Sequence, residues 1–382
     1  MDNYLIEKKP MRALLLFALP IIIGNLFQQT YTMVDSAIVG RFVGEQALAA
    51  VGASYSLTNI FICIALGGGI GASVIVSRYY GAQRYAAMKQ SVYTALFSFL
   101  AVSVLLGSVG LLAGEPIMLA LNTPSDVLQD AVDYLNIYFL GLPFLFMYNI
   151  LSAMFNALGK SRIPLAFLIF SSLLNIVLDW YMVVGLGMGV TGVAWATLLA
   201  QGLSAVLSFF VFLRLLSRLH GKPRKRFDGT EFLTMGKIAL PSILQQSTVS
   251  IGMMLVQSVV NGFGSQALAG FSAGMRIESL CIVPMTGLGN ALSSYTAQNI
   301  GAGRQERVVE GYHATNWMVI FFGAVICIAL QCFNRPIISF FLASDASAVS
   351  IATGRNLLRF MGWFFSMIGF KMAVDGLLRG AG

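Results

Sequence analysis

The chain has 382 residues, of which 57% are hydrophobic and only 10% charged, with a formal net charge of +8 and a mean hydropathy of +0.78. Soluble domains carry about 25% charged residues, so an all-α polytopic membrane protein is expected, with no soluble catalytic domain left over. The basic surplus lies between apolar runs, where it sets orientation and does not argue for nucleic-acid binding.

The first apolar run, from Met11, is too long for a signal-peptide core and lacks a small-residue cleavage site, so it stays as a span. Ten spans are expected, near 13–38, 47–76, 90–113, 131–157, 163–184, 191–216, 233–260, 267–297, 312–331 and 355–379. With a cytoplasmic N-terminus, one side collects Lys8, Lys9, Arg12, Arg78, Arg84, Lys89, Lys160, Arg162, Arg214, the run "KPRKRF" (222–227), Lys237, Arg304, Arg307 and Arg379. The other side keeps Arg41, Arg335, Arg355 and Arg359, which is the positive-inside pattern. Cys63, Cys281, Cys327 and Cys332 fall within or at the ends of expected spans without CxxC spacing, so neither disulfides nor a structural zinc site is expected.

In the first span, "LFQQTYTMVDSAIVG" places Gln28, Tyr31, Thr32 and Asp35 on one stripe. "GGGIG" (67–71) lies inside a span with no preceding strand, so it reads as a close helix contact and not as a dinucleotide fingerprint. The fifth span sets Asn175 and Asp179 four residues apart, with Ser171 and Ser172 a turn earlier. Asp35 lies 23 residues from Arg12 and Asp179 17 residues from Arg162, so at about 1.5 Å per residue both acids rise into the outer half of the bilayer and share one chamber. An alternative places Asp35 or Asp179 at the outer headgroup level, simply solvated. A charge in hydrocarbon costs about 2.5–3.5 kcal/mol, so such acids persist when they face an interior or a water-filled path. Two carboxylates with little solvent cannot both stay ionised, and such a site holds a proton or a small cation. "GLGMG" (185–189) reads as an outer turn.

The second half has a different set. Arg276 and Glu278 sit in the eighth span, and Lys371 and Asp375 in the tenth are spaced to pair along one helix, leaving Glu278 the more isolated acid. "ALP" (18–20) recurs at 239–241, "GEQALA" (44–49) as "GSQALA" (264–269), and "GAQR" (81–84) as "GAGR" (301–304). The offset near 220 residues defines two like-oriented halves, 1–217 and 231–382, joined by the basic linker 218–230. In that register "NALGKS" (156–161) meets "LLRGAG" (377–382), so the expectation is a six-plus-six bundle of which the last two spans are missing here. Pro20 and its repeat mate Pro241 interrupt the first and seventh spans, as hinges or as static bends. An intramembrane enzyme is not expected, because the only histidines, His220 and His313, lie near the cytoplasmic face.

"ALPIIIGNLFQQTYTMVDSAIVGRFVGEQALAAVG", "RYYGAQR", "FNALGKSR", "NIVLDW" and "QNIGAGR" together resemble the multidrug and toxic compound extrusion (MATE) family across the whole chain. The resemblance implies two six-helix lobes and exchange of cationic amphipathic drugs for H+ or Na+. It implies that Asp35, Asn175 and Asp179, completed by Thr197, form a proton or cation site, and that Gln28, Tyr31 and Asn149 line the substrate cavity. It makes Pro20 the bending proline, and it implicates Glu278 and Asp375 in Na+ coupling in some branches, so either acid pair is a Na+ candidate. No cofactor other than the coupling ion is expected, and the expected setting is a monomer in the plasma or inner membrane. The competing reading, a flippase for lipid or lipid-linked oligosaccharide, calls for cavity arginines, and only Arg276 and Lys371 lie mid-span against four acids.

Overall fold

The computed structural model describes residues 4–121, 123–342 and 347–382, and every element among them is helical. In hydrocarbon each backbone N–H must be satisfied within its own segment, so uninterrupted apolar runs become helices. In chain order these are α1 (Tyr4–Glu7), α2 (Pro10–Ile38), α3 (Glu45–Gly81), α4 (Tyr85–Ala120), α5 (Ser125–Ala157), α6 (Arg162–Asp179), α7 (Gly189–Ser217), α8 (Gly229–Asn261), α9 (Ser265–Cys281), α10 (Val283–Gly301), α11 (Gln305–Phe341), α12 (Ala348–Gly362) and α13 (Phe365–Ala381). Two π-helical turns, Val39–Val43 and Trp180–Gly185, extend α2 and α6.

Eight of the described helices are long and apolar enough to cross a membrane, or nine with α12 and α13 taken as one span bent by 52°. The sequence expectation was ten. The stretch 267–297, expected as one span, is instead α9 and α10 meeting at Ile282, because Pro284 has no N–H to continue the ladder of α9 and suits the first turn of a new helix. In α11, Phe333 leaves helical geometry (φ −117°, ψ 19°) three residues before Pro336, whose ring clashes with the carbonyl one turn back.

The helices divide into two compact units, residues 27–244 and residues 1–26 with 245–382. In the first, α5 is the central helix, packed on α3, α4 and α7. Lipid is as apolar as leucine, so helix association rests on close packing. Phe139 of α5 is buried against α4 where a Cβ at Gly110 would lie 2.5 Å from its ring. "GGGIG" works the same way: a Cβ at Gly71 would sit 2.6 Å from Met235 O of α8. In the second unit, Leu14, Phe17, Ala18 and Ile22 of α2 share a core with Leu288, Leu292, Tyr295 and Phe365.

The segments that lead into α2 and α8 are each fastened within their own unit. The "GAQR" corner holds the entry to α8: Tyr79 Oη donates to Glu231 Oε1 (2.7 Å), Ser91 Oγ to Glu231 Oε2 (2.9 Å), and Gln90 Nε2 to Asp228 Oδ2 (2.7 Å). The "GAGR" corner holds the entry to α2: Asn299 Nδ2 donates to Leu5 O (3.2 Å), Arg304 Nη1 to Ile6 O (2.9 Å), and Arg307 Nη2 to Lys8 O (2.5 Å).

Candidate functional site

Within residues 27–244, the end of α2 brings Tyr31 and Asp35 beside the end of α6, which carries Asn175 and Asp179. Asp179 is fully buried and Asp35 partly so. The two carboxyl groups lie within hydrogen-bonding reach of each other. A carboxylate only accepts hydrogen bonds, so this approach requires a shared proton or a bridging cation. Asp35 Oδ1 and Asp179 Oδ1 are enclosed and accept no hydrogen bond from the described residues. That leaves two oxygens open to an ion.

Asn175 orients the pair. With its amide turned to satisfy both ends, Nδ2 donates to Asp179 Oδ2 (3.2 Å) and Oδ1 accepts from Thr197 N (3.3 Å). Turned the other way, Nδ2 meets Thr197 Oγ1 at 3.3 Å. Either way α7 enters the site through Thr197. Tyr134 of α5 faces both aspartates, and Tyr148 stands near Tyr31. Tyr134, Tyr138, Leu145, Thr197 and Gln201 line a small cavity of about 20 Å³, room for about one water, which neither aspartate lines.

Above the pair, the π turns Val39–Val43 and Trp180–Gly185 follow directly on the two aspartate-bearing helices and touch each other. Val39, Val183, Val190 and Val193 close an apolar cluster there, with Tyr134 on its margin. A π turn widens the helix by one residue and is found often at functional sites.

The other expected residues are placed elsewhere. Gln28 is exposed on α2 and its carbonyl accepts from Thr32 Oγ1 (2.9 Å). Asn149 turns its amide back on Leu145 O (2.8 Å). Pro20 lies in the stretch of α2 that packs with residues 245–382, and the helix continues through it. Glu278 and Asp375 sit in that second unit. Glu278 is half-buried on α9 with no ion pair among the described residues, while Asp375 Oδ2 accepts from Lys371 Nζ (2.6 Å) and Gln245 Nε2 (2.7 Å). Among the described residues no three His, Cys, Asp or Glu side chains gather as a metal site. The tyrosines of α5 escaped the sequence reading. Their signal was the four-residue spacing of Tyr134 and Tyr138, a polar stripe without a charge.

A model of the MatE family matches residues 20–181 and 241–382, one segment in each repeat. The chain belongs to the MatE family. Among relatives, it is 30% identical over 372 residues to the probable multidrug resistance protein YpnP of Bacillus subtilis, covering 97% of this chain and 83% of that one. It is 28% identical to the probable multidrug resistance protein YoeA of the same organism, covering 97% and 81%. A solved MOP-superfamily transporter from Pyrococcus furiosus, described as having a binding pocket of reversed polarity, matches with a TM-score of 0.92 at 23% identity over 99% of this chain and 84% of that one. MatE proteins are transporters, so this chain is a multi-pass membrane transporter for small molecules and not an enzyme.

Proposed function

We propose that this MatE transporter is an ion-coupled multidrug exporter whose coupling site is the Asp35–Asp179 pair. The observation that carries it is two acids at hydrogen-bonding range, one fully buried, with open carboxylate oxygens. A proton or Na+ entering from outside occupies that pair, with Asn175 and Thr197 positioning Asp179. Occupation changes the end of α2, a cationic amphipathic drug leaves outward, and loading of drug from the cytoplasm resets the site. Membrane potential contributes about 2.3 kcal/mol per charge per 100 mV, enough for roughly a fiftyfold gradient of a neutral substrate exchanged for one charge. On this reading Tyr31, Gln28 and Asn149 line the drug path and Pro20 lets α2 bend. The chain works as a monomer in the plasma membrane with its N-terminus inside, built as two like-oriented repeats joined by the basic linker 218–230.

The test is reconstitution in liposomes with a fluorescent cationic dye, imposing a pH gradient alone and then a Na+ gradient alone. Ion-driven flux in the wild type and none in Asp35→Asn is the expected result. Equal export by Asp35→Asn would sink the assignment, and dye flux under neither gradient would favour a lipid-linked substrate.

A further inference from the structure

The second unit holds a carboxylate of the opposite character. We propose that Lys371 is a tethered cation that fills the ion position at Asp375, so that this carboxylate takes no Na+ and ion exchange is confined to the Asp35–Asp179 pair. The inference rests on the coupling site proposed above and names which of the two acid groups is excluded from it.

Lys371 and Asp375 are one turn apart on α13, and the ammonium lies 2.6 Å from Asp375 Oδ2. A surface pair of this spacing is worth little, because two long side chains must be held in one geometry. Here the geometry is held from outside the helix. Gln245 Nε2 of α8, 130 residues away in sequence, donates to the same Oδ2 at 2.7 Å. Arg379 Nε donates to the Asp375 carbonyl at 3.1 Å, a further positive charge on the same face. Lys371 lies eight residues before Arg379, about 12 Å deeper along the helix, inside the run read as a span. An unpaired ammonium at that depth is costly, which ties it to the nearest carboxylate.

A hard cation needs a shell of oxygen acceptors. What surrounds Asp375 Oδ2 is the reverse, an ammonium and an amide N–H, both donors. Na+ would enter only by expelling a like charge that cannot diffuse away. Glu278, the other acid of this unit, lies on α9 and forms no ion pair among the described residues. By contrast no lysine or arginine among the described residues forms an ion pair with Asp35 or Asp179.

The experiment measures 22Na+ binding to purified full-length protein at fixed pH, in the wild type, Asp375→Asn, Lys371→Gln, Lys371→Arg and Lys371→Gln/Asp375→Asn. Wild type and Asp375→Asn are expected to bind alike. Lys371→Gln should gain a Na+ component at least about tenfold above background, absent from Lys371→Arg and abolished in the double variant. Should Lys371→Gln not elute as a single species, Lys371→Met, which keeps the apolar stem, replaces it. Wild-type Na+ binding that falls in Asp375→Asn overturns the inference, as does a folded Lys371→Gln or Lys371→Met that gains no binding. The dye-flux assay reads the coupling site separately: a wild type that moves no dye would defeat that assignment whatever the Na+ result.

Discussion

The two carboxylate centres of this transporter differ in what already surrounds them. Asp35 and Asp179 approach each other with one enclosed oxygen apiece, Oδ1, that no described donor reaches, whereas Asp375 is satisfied by Lys371 and Gln245. An acid that is already neutralised has little to gain from an external ion; an acid facing another acid must take one. Position inside the membrane is shared by both, so the position of a carboxylate says less about coupling than its donors do.

The largest effect expected from breaking this contrast is at Asp179. Asp179→Asn removes one acid of the pair and should reduce ion-driven dye flux to that of empty liposomes, with the protein still monodisperse. Tyr134→Phe keeps the ring and removes a hydroxyl that interacts with both acids through space only. No hydrogen bond of about 0.5–1.5 kcal/mol is lost, so the apparent ion affinity should change by less than about threefold with maximal flux retained.

Glu231 extends the comparison to a carboxylate with donors and no ion role. Its two oxygens accept from Tyr79 and Ser91, so Glu231→Ala strands two hydroxyls and should lower stability by about 1–3 kcal/mol, read as a lower Tm, while coupled flux per folded molecule is unchanged. The smallest effect belongs to Asp228, at the entry to α8. The Thr230 N–H donating to its Oδ1 at 2.9 Å, with further help from the Glu231 N–H, holds its carboxyl below the usual range. Since the folded group ionises below its unfolded value near 3.9, its contribution is complete at neutral pH and fades as pH falls below about 4. Asp228→Asn should therefore lower the neutral Tm slightly and flatten the acid-side drop, converging with wild type below about pH 4.

Much of this was legible in the sequence. Hydropathy pointed to an all-helical membrane fold, though ten spans were expected against eight or nine among the described helices, and the stripes of α2 and α6 singled out Asp35 and Asp179. The rest depends on which helix faces which. A stripe shows where a side chain points along its own helix but not its partner, so nothing in "FKMAVDG" announced that Gln245 would reach Asp375. The π turns have no residue signature. Pro284 did mark the break between α9 and α10, but the apolar run across it masked the signal.

The hold on the N-terminal segment also bears on how the chain is made. Asn299 reaches the Leu5 carbonyl across 294 residues, so the seat of the N-terminal segment does not exist until most of the polypeptide has been synthesised. Contacts so distant in sequence form late, since their loop-closure entropy must be met before they reward it. The segment before α2 thus waits undocked until α10 and α11 emerge, and is late to settle.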